Sequence, residues 1–411
     1  MAKLSLNSIS PEVFLVCEND QTKERNEIIS EGRKLFYEHA RKGQRALYKA
    51  MQRSDAPDTG DGLNAGQYQK LNELFRKEHL LYAAKRCCAI SGKNAPESFE
   101  EFRKQGMNFA QNEMFYKVLQ GVYEDIVNPI LPAVYSEAVD VFADVVEVGF
   151  GETAQITIGS NDIPIFQDSA WGASRSVPAN RFYARDFTLN PQPKTAEIRV
   201  KWHQLVGNGF DFGELMANIV AGLYAKTMGL WSAMMTAAAN NQTLIPSGMK
   251  YSFTALNWAR ATNKMMAVNN ISKENIIAFG NLVALAKVLP NESTGTTNVT
   301  MDAALATLLG RDYVGRGYLG EYMGVSLRPL RDAVVPGTQN TSVTTILDEH
   351  SIWMLATNRR KPATIAYNSA TPISIGIEPL NSGSSFEMGI NLTIALDMVA
   401  TFAAKEALIT I

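Results

Sequence analysis

Two rhythms divide this chain. Up to about residue 140 the apolar positions recur at intervals of three and four, and from Val141 onward runs of period two alternate with helical stretches. Residues 22–53 read as a helix with a sparse stripe of Ile28, Ile29, Leu35, Phe36 and Leu47, and with a basic excess on its other faces that includes Lys34, Arg41, Lys42 and Arg45. Such a face is a solvated one laced with charge pairs or, more sharply, a surface set near a polyanion. Residues 54–66 form a loop by composition, and a second helix follows over about 67–90. Ser98 caps a third, with Glu101 as its capping-box partner, running toward Asn128-Pro129. The stripes of these helices are broken and polar-rich, which suits packing on neighbours better than a tight core of their own.

The period-two runs begin with Val145–Phe150 and Ala154–Ile158, and the next of comparable quality is Ala196–His203, where Ile198, Val200 and Trp202 alternate with Arg199, Lys201 and His203. Between them lie almost forty residues rich in Ser, Asn, Pro and Arg. A loop of that length inside a domain is uncommon and usually functional. It reads as a projecting β-arm, and its Trp171, Arg175, Arg181 and Arg185 are candidate contacts between subunits, being residue types enriched at interfaces. The strand 196–203 is the expected returning limb, turned by Gly207 and Gly209 into a long helix.

That helix opens at Asp211, which can accept from its first free N–H groups, with Glu214 able to reach back. Phe212, Leu215, Met216, Ile219, Val220 and Leu223 fall at helical spacing, and the segment ends near Ala239. Gly222 and Gly229 weaken it slightly and permit close approach of another backbone. Leu215–Ala239 is long enough to cross a bilayer. Lys226 near its middle costs about 2.5–3.5 kcal/mol for insertion, so no membrane partner is expected.

From 245 to 365 short helices and strands alternate. Ser272 is expected to cap a helix ending at Leu289-Pro290 and Thr300 a short one over Met301–Leu309; the glycine-punctuated loop 310–324 leads to a strand at Val325, with further strands near 352–356 and 363–367. The chain closes on a long alternating strand in which Ile390, Leu392, Ile394, Leu396 and Met398 share a face.

A formal net charge of -2 argues against a dedicated nucleic-acid binder. The three cysteines, Cys17, Cys87 and Cys88, make no disulfide framework and point to a reducing compartment. The phosphate-loop, zinc-ligand and nucleophile-elbow patterns are absent. Gly149-Phe-Gly151, Gly207-Asn-Gly209 and Gly315-Arg-Gly317 are read as turn glycines rather than as a dinucleotide fingerprint. Asp348-Glu349-His350 could pass for an acid–base cluster but reads better as the approach to a hairpin. No catalytic residue, cofactor or metal site is assigned, and no enzyme is expected.

The order of parts resembles the major capsid proteins of tailed bacteriophages with the HK97-like fold: a helical N-terminal extension over 1–140, a β-arm (E-loop) over 141–208, a spine helix over 209–244, a mixed α/β A-domain over 245–367 and a closing P-domain strand over 368–411. The resemblance implies an α+β subunit that assembles with many copies of itself, as hexamers and pentamers, into an icosahedral shell around double-stranded DNA. Portal, scaffolding and decoration proteins would be further partners, the mature location the virion, and the place of assembly the host cytoplasm. Some members crosslink through an arm lysine; here Lys194 lies at the arm's base, so no crosslink is expected. The alternatives are a cellular nanocompartment shell of encapsulin type and an α+β enzyme without a recognisable motif.

Overall fold

The computed structural model describes residues 23–51, 65–140, 142–149, 151–159, 185–207, 210–241, 245–288, 316–357, 361–368, 374–382, 385–401 and 404–411. The expected helix 301–309 lies outside them, as do Asn208 and Gly209 of the joint and the side chains of Leu47 and the basic residues from Arg41 to Lys49.

The helices α1 (Lys23–Met51) and α2 (Ala65–Ser91) follow the expected spans, and Ile28, Ile29, Leu35 and Phe36 are buried. The basic side chains of α1 are partly spent within the subunit. Arg25 pairs with Asp125, and Arg33 donates from Nε and Nη2 to the Asp125 carbonyl at 3.0 and 2.7 Å. Ser98 starts α3 (Phe99–Ala110) by accepting the Glu101 N–H at 3.3 Å, while the Glu101 carboxylate accepts from Glu97 N rather than from the cap residue. The single helix expected to run on to Asn128 is two. Asn112 accepts the Met114 N–H at 3.0 Å and begins α4 (Glu113–Val127), because its short amide offers the backbone an alternative to helical continuation. Beyond Pro129, α5 (Leu131–Val139) closes the helical region.

In chain order the remaining elements are β1 (Ala143–Val148), β2 (Ala154–Ile158), β3 (Arg185–Leu189), β4 (Gln192–Lys201), α6 (Trp202–Val206), α7 (Phe212–Asn240), β5 (Lys250–Ser252), α8 (Ala255–Asn269), β6 (Ile276–Gly280), α9 (Leu282–Ala286), β7 (Glu321–Tyr322), β8 (Val325–Pro329), β9 (Ser351–Ala356), β10 (Ala363–Asn368), β11 (Ser374–Ser382), β12 (Ser385–Ala400) and β13 (Ala407–Thr410). They make three sheets. In the first, the 16-residue β12 is the common partner of β4, β11 and β10, all antiparallel to it, and β1 runs parallel to β10. The second has the order β5-β13-β9-β6-β8-β7, and the third is the β2–β3 pair.

Three expectations change here. The strand ends at Lys201, and Trp202 and His203 are already helical in α6. The helix expected from Ser272 to Leu289 is instead one 3-10 turn, the strand β6 and the five-residue α9 capped by Asn281. The run Ile276-Ile-Ala-Phe-Gly280 is hydrogen-bonded on both sides, to β8 and β9, and a continuous apolar run of this kind looks the same locally in a buried strand and a buried helix. Finally, β10 sits in the first sheet rather than with the module 245–367, and β13 sits in the second rather than with the closing segment 368–411. Sheet membership is set by partners far along the chain, which local periodicity does not encode.

Two large cores result. The first joins the helices to the first sheet: Phe75, Phe102, Phe115, Tyr116 and Tyr123 are essentially fully buried and continuous with Ile375, Ile377, Met388 and Ile390. The N-terminal helices therefore own a dense core, contrary to their broken stripes, since a few aromatic rings each remove about 150–250 Å² from water. The second core surrounds Trp231, Trp258 and Met354 in the second sheet. Both contain part of α7: Phe212, Leu215 and Met216 belong to the first, and Tyr224, Met228, Trp231 and Met235 to the second. With 29 residues, α7 is roughly 43 Å long.

Candidate assembly interface

The start of α7 is a densely hydrogen-bonded joint, and α2 builds it. Asp211 caps the helix through Oδ1, accepting from Gly213 N at 2.8 Å and Glu214 N at 3.2 Å. A third free N–H, that of Phe212, is accepted by Asn72 Oδ1 at 3.3 Å. Tyr68 donates its hydroxyl to Asp211 Oδ1 at 3.2 Å, and Arg76 Nη1 donates to the Val206 carbonyl at 3.1 Å. Tyr68, Asn72 and Arg76 are spaced four apart and so share one face of α2. Burial, then the Asp211 charge, drive the Tyr68 hydroxyl well above its ordinary range, so it remains a donor. Two glycines are required by contact. A Cβ on Gly213 would fall 1.7 Å from Tyr68 Oη, and one on Gly207 would fall 2.6 Å from the His203 carbonyl oxygen. The turn into α7 is therefore closely fitted to α2. The stripe 68/72/76 was missed in the sequence, where only its i, i+4, i+8 polar spacing marks it.

The foot of the arm is equally fixed. The β2–β3 pair holds five rungs, from Ala154–Leu189 to Ile158–Arg185, and Thr157 donates to Asp186 Oδ1 at 2.6 Å. Ile156, Ile158 and Leu189 pack with Val148 and Ala366 of the first sheet. At the exit, Asn190 N donates to Asp397 Oδ2 on β12 at 2.9 Å. The returning limb is thus β3. The strand read as that limb is β4, which pairs with β12 over ten residues and belongs to the body. Of the candidate contacts, Arg185 opens β3 opposite Ile158, with its side chain outside the described ones, and Trp171, Arg175 and Arg181 lie outside the described residues.

Along α7 one face remains open. Asn218, Ala221, Gly222, Lys226, Ala233 and Ala237 are exposed, and a Cβ at Gly222 or Gly229 would meet nothing within 4 Å. The close backbone approach that these glycines permit is not made among the described residues. Among the described residues, no helix is long and apolar enough to cross a membrane, and no three His, Cys, Asp or Glu side chains gather as a metal site would require. Gly315-Arg-Gly317-Tyr-Leu-Gly320 has the glycine spacing of a dinucleotide fingerprint, contrary to its reading as isolated turn glycines. It leads into the strands β7 and β8 rather than into a helix, so the anion-binding helix N-terminus that gives the motif its chemistry is not there. Asp348 accepts from His350 N at 3.1 Å and from the Ser351 hydroxyl, which makes the triplet a turn at the head of β9. Cys87 and Cys88 are buried thiols.

Helical extension, arm foot, spine, mixed α/β module and closing strand follow one another in the order expected from the sequence. No family model and no curated protein matches the chain. Among solved structures it is similar to that of Mycobacterium phage Che8 (14% identity, TM-score 0.37, 63% of this chain and 84% of that one). It is similar also to the mature capsid of bacteriophage PhiM1 (11%, 0.42, 65% and 85%) and to a virus-like particle from Pyrococcus furiosus (10%, 0.36, 67% and 95%). At these values the likeness assigns no function.

Proposed function

We propose that this chain is a shell subunit, a major capsid protein whose copies assemble into a closed icosahedral particle around a phage double-stranded DNA genome. The observation that carries the reading is α7, a long helix shared by two cores and open along one face. Head-to-tail contacts between such copies close into rings and shells when the rotation permits.

Negative-stain imaging and sedimentation of the purified full chain test the proposal: closed particles are the expected result, and a monodisperse species near 45.2 kDa under assembly conditions defeats it. Nuclease-protected DNA inside the particles supports the genome container, and protein cargo in its place supports the nanocompartment. The arm residues Trp171, Arg175, Arg181 and Arg185 are proposed contacts between copies. Changing the three arginines to Ala should lower particle yield while leaving subunit folding intact. Helix α1 is assigned to the inner face, beside the DNA. Reaction of the exposed Lys34 with an impermeant reagent on intact particles would remove that assignment. Location in the virion, assembly in the host cytoplasm, and portal, scaffolding and decoration proteins as partners belong to the same proposal.

A further inference from the structure

The strand β13 enters the second sheet between β5 and β9, and two buried side chains hold the turn that leads into it. Asn269, 2% exposed at the end of α8, grips the Lys405 backbone in both directions, its amide donating to the carbonyl and its carbonyl accepting the N–H, both at 2.8 Å. Glu406, also 2% exposed, accepts the Ala356 N–H through Oε2 at 3.1 Å. Ala356 ends β9, two residues past the last β9–β13 rung at Met354–Ala407, so the carboxyl stands where a strand partner would otherwise be.

A carboxyl buried in this way is tolerated while neutral and is costly once ionised without a countercharge. Among the described residues, the charged ones of the neighbouring elements are Lys405 beside it in the chain, Lys250 of β5, Lys273 and Glu274 of the turn before β6, and Arg260 and Lys264 of α8. None of them sets its state. Burial raises its pKa to about 8, and the Ala356 N–H lowers it by less.

We infer that Glu406 is a proton-dependent latch on β13: neutral, it closes the end of the β9–β13 ladder, and ionised, it opens that end of the second sheet. The sign follows from the raised proton affinity of the folded state. Below the ordinary glutamate range both states hold the proton, and stability is full. Between about 4.5 and about 8 the folded state keeps a proton that the unfolded chain has lost, so the folded-to-unfolded ratio falls about tenfold per pH unit. Above that window the folded state itself carries the buried charge. The simplest way for that charge to reach water is withdrawal of the turn 404–406 and of β13 after it.

Hydrogen exchange of the full chain tests this at the Leu408 and Ile409 amides, compared between the native protein and Glu406→Gln at about pH 6 and about pH 9. In the native protein their protection should fall by at least about tenfold more than the intrinsic rise in exchange explains, with β12 amides unaffected. Glu406→Gln keeps a neutral acceptor for Ala356 N and should show the intrinsic rise alone. Equal pH responses in the two proteins overturn the inference. If Glu406→Gln does not fold, the infrared carbonyl band of Glu31→Gln, which removes the raised Glu31 carboxyl, decides: a protonated carboxyl must persist at about pH 7.5 and disappear by about pH 9.5. A protein with no such band at the lower pH refutes the latch.

Discussion

The two cores meet on one helix but are built and titrated in opposite ways. The first is made of aromatic rings on helices and holds a buried base, His79. Its Nδ1 lies 2.6 Å from the Phe75 carbonyl oxygen, its Nε2 lies 3.2 Å from the Tyr123 hydroxyl, and its ring stacks on Phe75. Burial pushes its pKa down to about 4, so it stays neutral when folded. The second core is made of strands and holds a buried acid, Glu406, also neutral when folded. Each region is tolerant of a different side of the pH range, and α7 is the element through which one region feels the loss of the other.

The largest expected effects test that coupling. Trp231, 1% exposed and 4.7 Å from the Phe142 ring, anchors α7 in the second core, and Phe212, fully buried, anchors it in the first. Either change to Ala should cost about 3–5 kcal/mol. Calorimetry should record one unfolding transition, lowered in both variants. Two separate transitions, each sensitive to only one variant, would break the comparison by showing that the cores melt independently.

Acid comes next. His79 has a folded pKa of about 4 against an ordinary 6.5, so stability is complete above the unfolded value and is lost as pH falls toward 4, by about 3 kcal/mol. Denaturant titrations of His79→Gln should lose that slope. In the same core Glu31, raised to about 7 by burial and by Glu78, acts in the opposite direction. The double variant with Glu31→Gln separates the two contributions.

Smaller effects sharpen the picture at the joint and along the open face. Asp211→Ala removes a cap that serves two N–H groups and also accepts from the Tyr68 hydroxyl. It should cost about 1–2 kcal/mol, more than the simpler cap loss in Thr254→Ala on α8, both read from denaturant midpoints. Gly222→Ala should be neutral or stabilising by up to about 1 kcal/mol in the isolated subunit, since nothing lies within 4 Å of the added carbon. If the open face is a contact between copies, the same change should reduce particle yield. Unchanged yield would remove α7 from the interface.

The features legible in the sequence are those whose cause is local. Asp211 and Ser98 announce their helices because capping acts within three residues. The period-two pattern of Ile390 to Met398 announces β12, and Phe212 to Leu223 at helical spacing announce the spine. What could not be read is pairing. The strand 192–201 alternates just as an arm limb would, and only its register with β12, from Lys201–Glu387 to Gln192–Leu396, assigns it to the body. β6 was hidden by burial on both sides, and the break at Asn112 by a single side chain competing with the helix. The acid at position 406 carried no signal at all, because its chemistry comes from Ala356 fifty positions earlier.

The face of α2 that receives the spine has a consequence for synthesis. Tyr68 reaches Asp211 across 143 positions of chain, and Asn72 reaches Phe212 across 140. A chain emerging from the ribosome exposes its earlier residues first, and domains fold largely in that order. The receiver can therefore be shaped while the spine is still being made, so that α7 arrives at a seat ready for its first turn, while its second half, from Tyr224 to Met235, is covered only when the later second sheet is made.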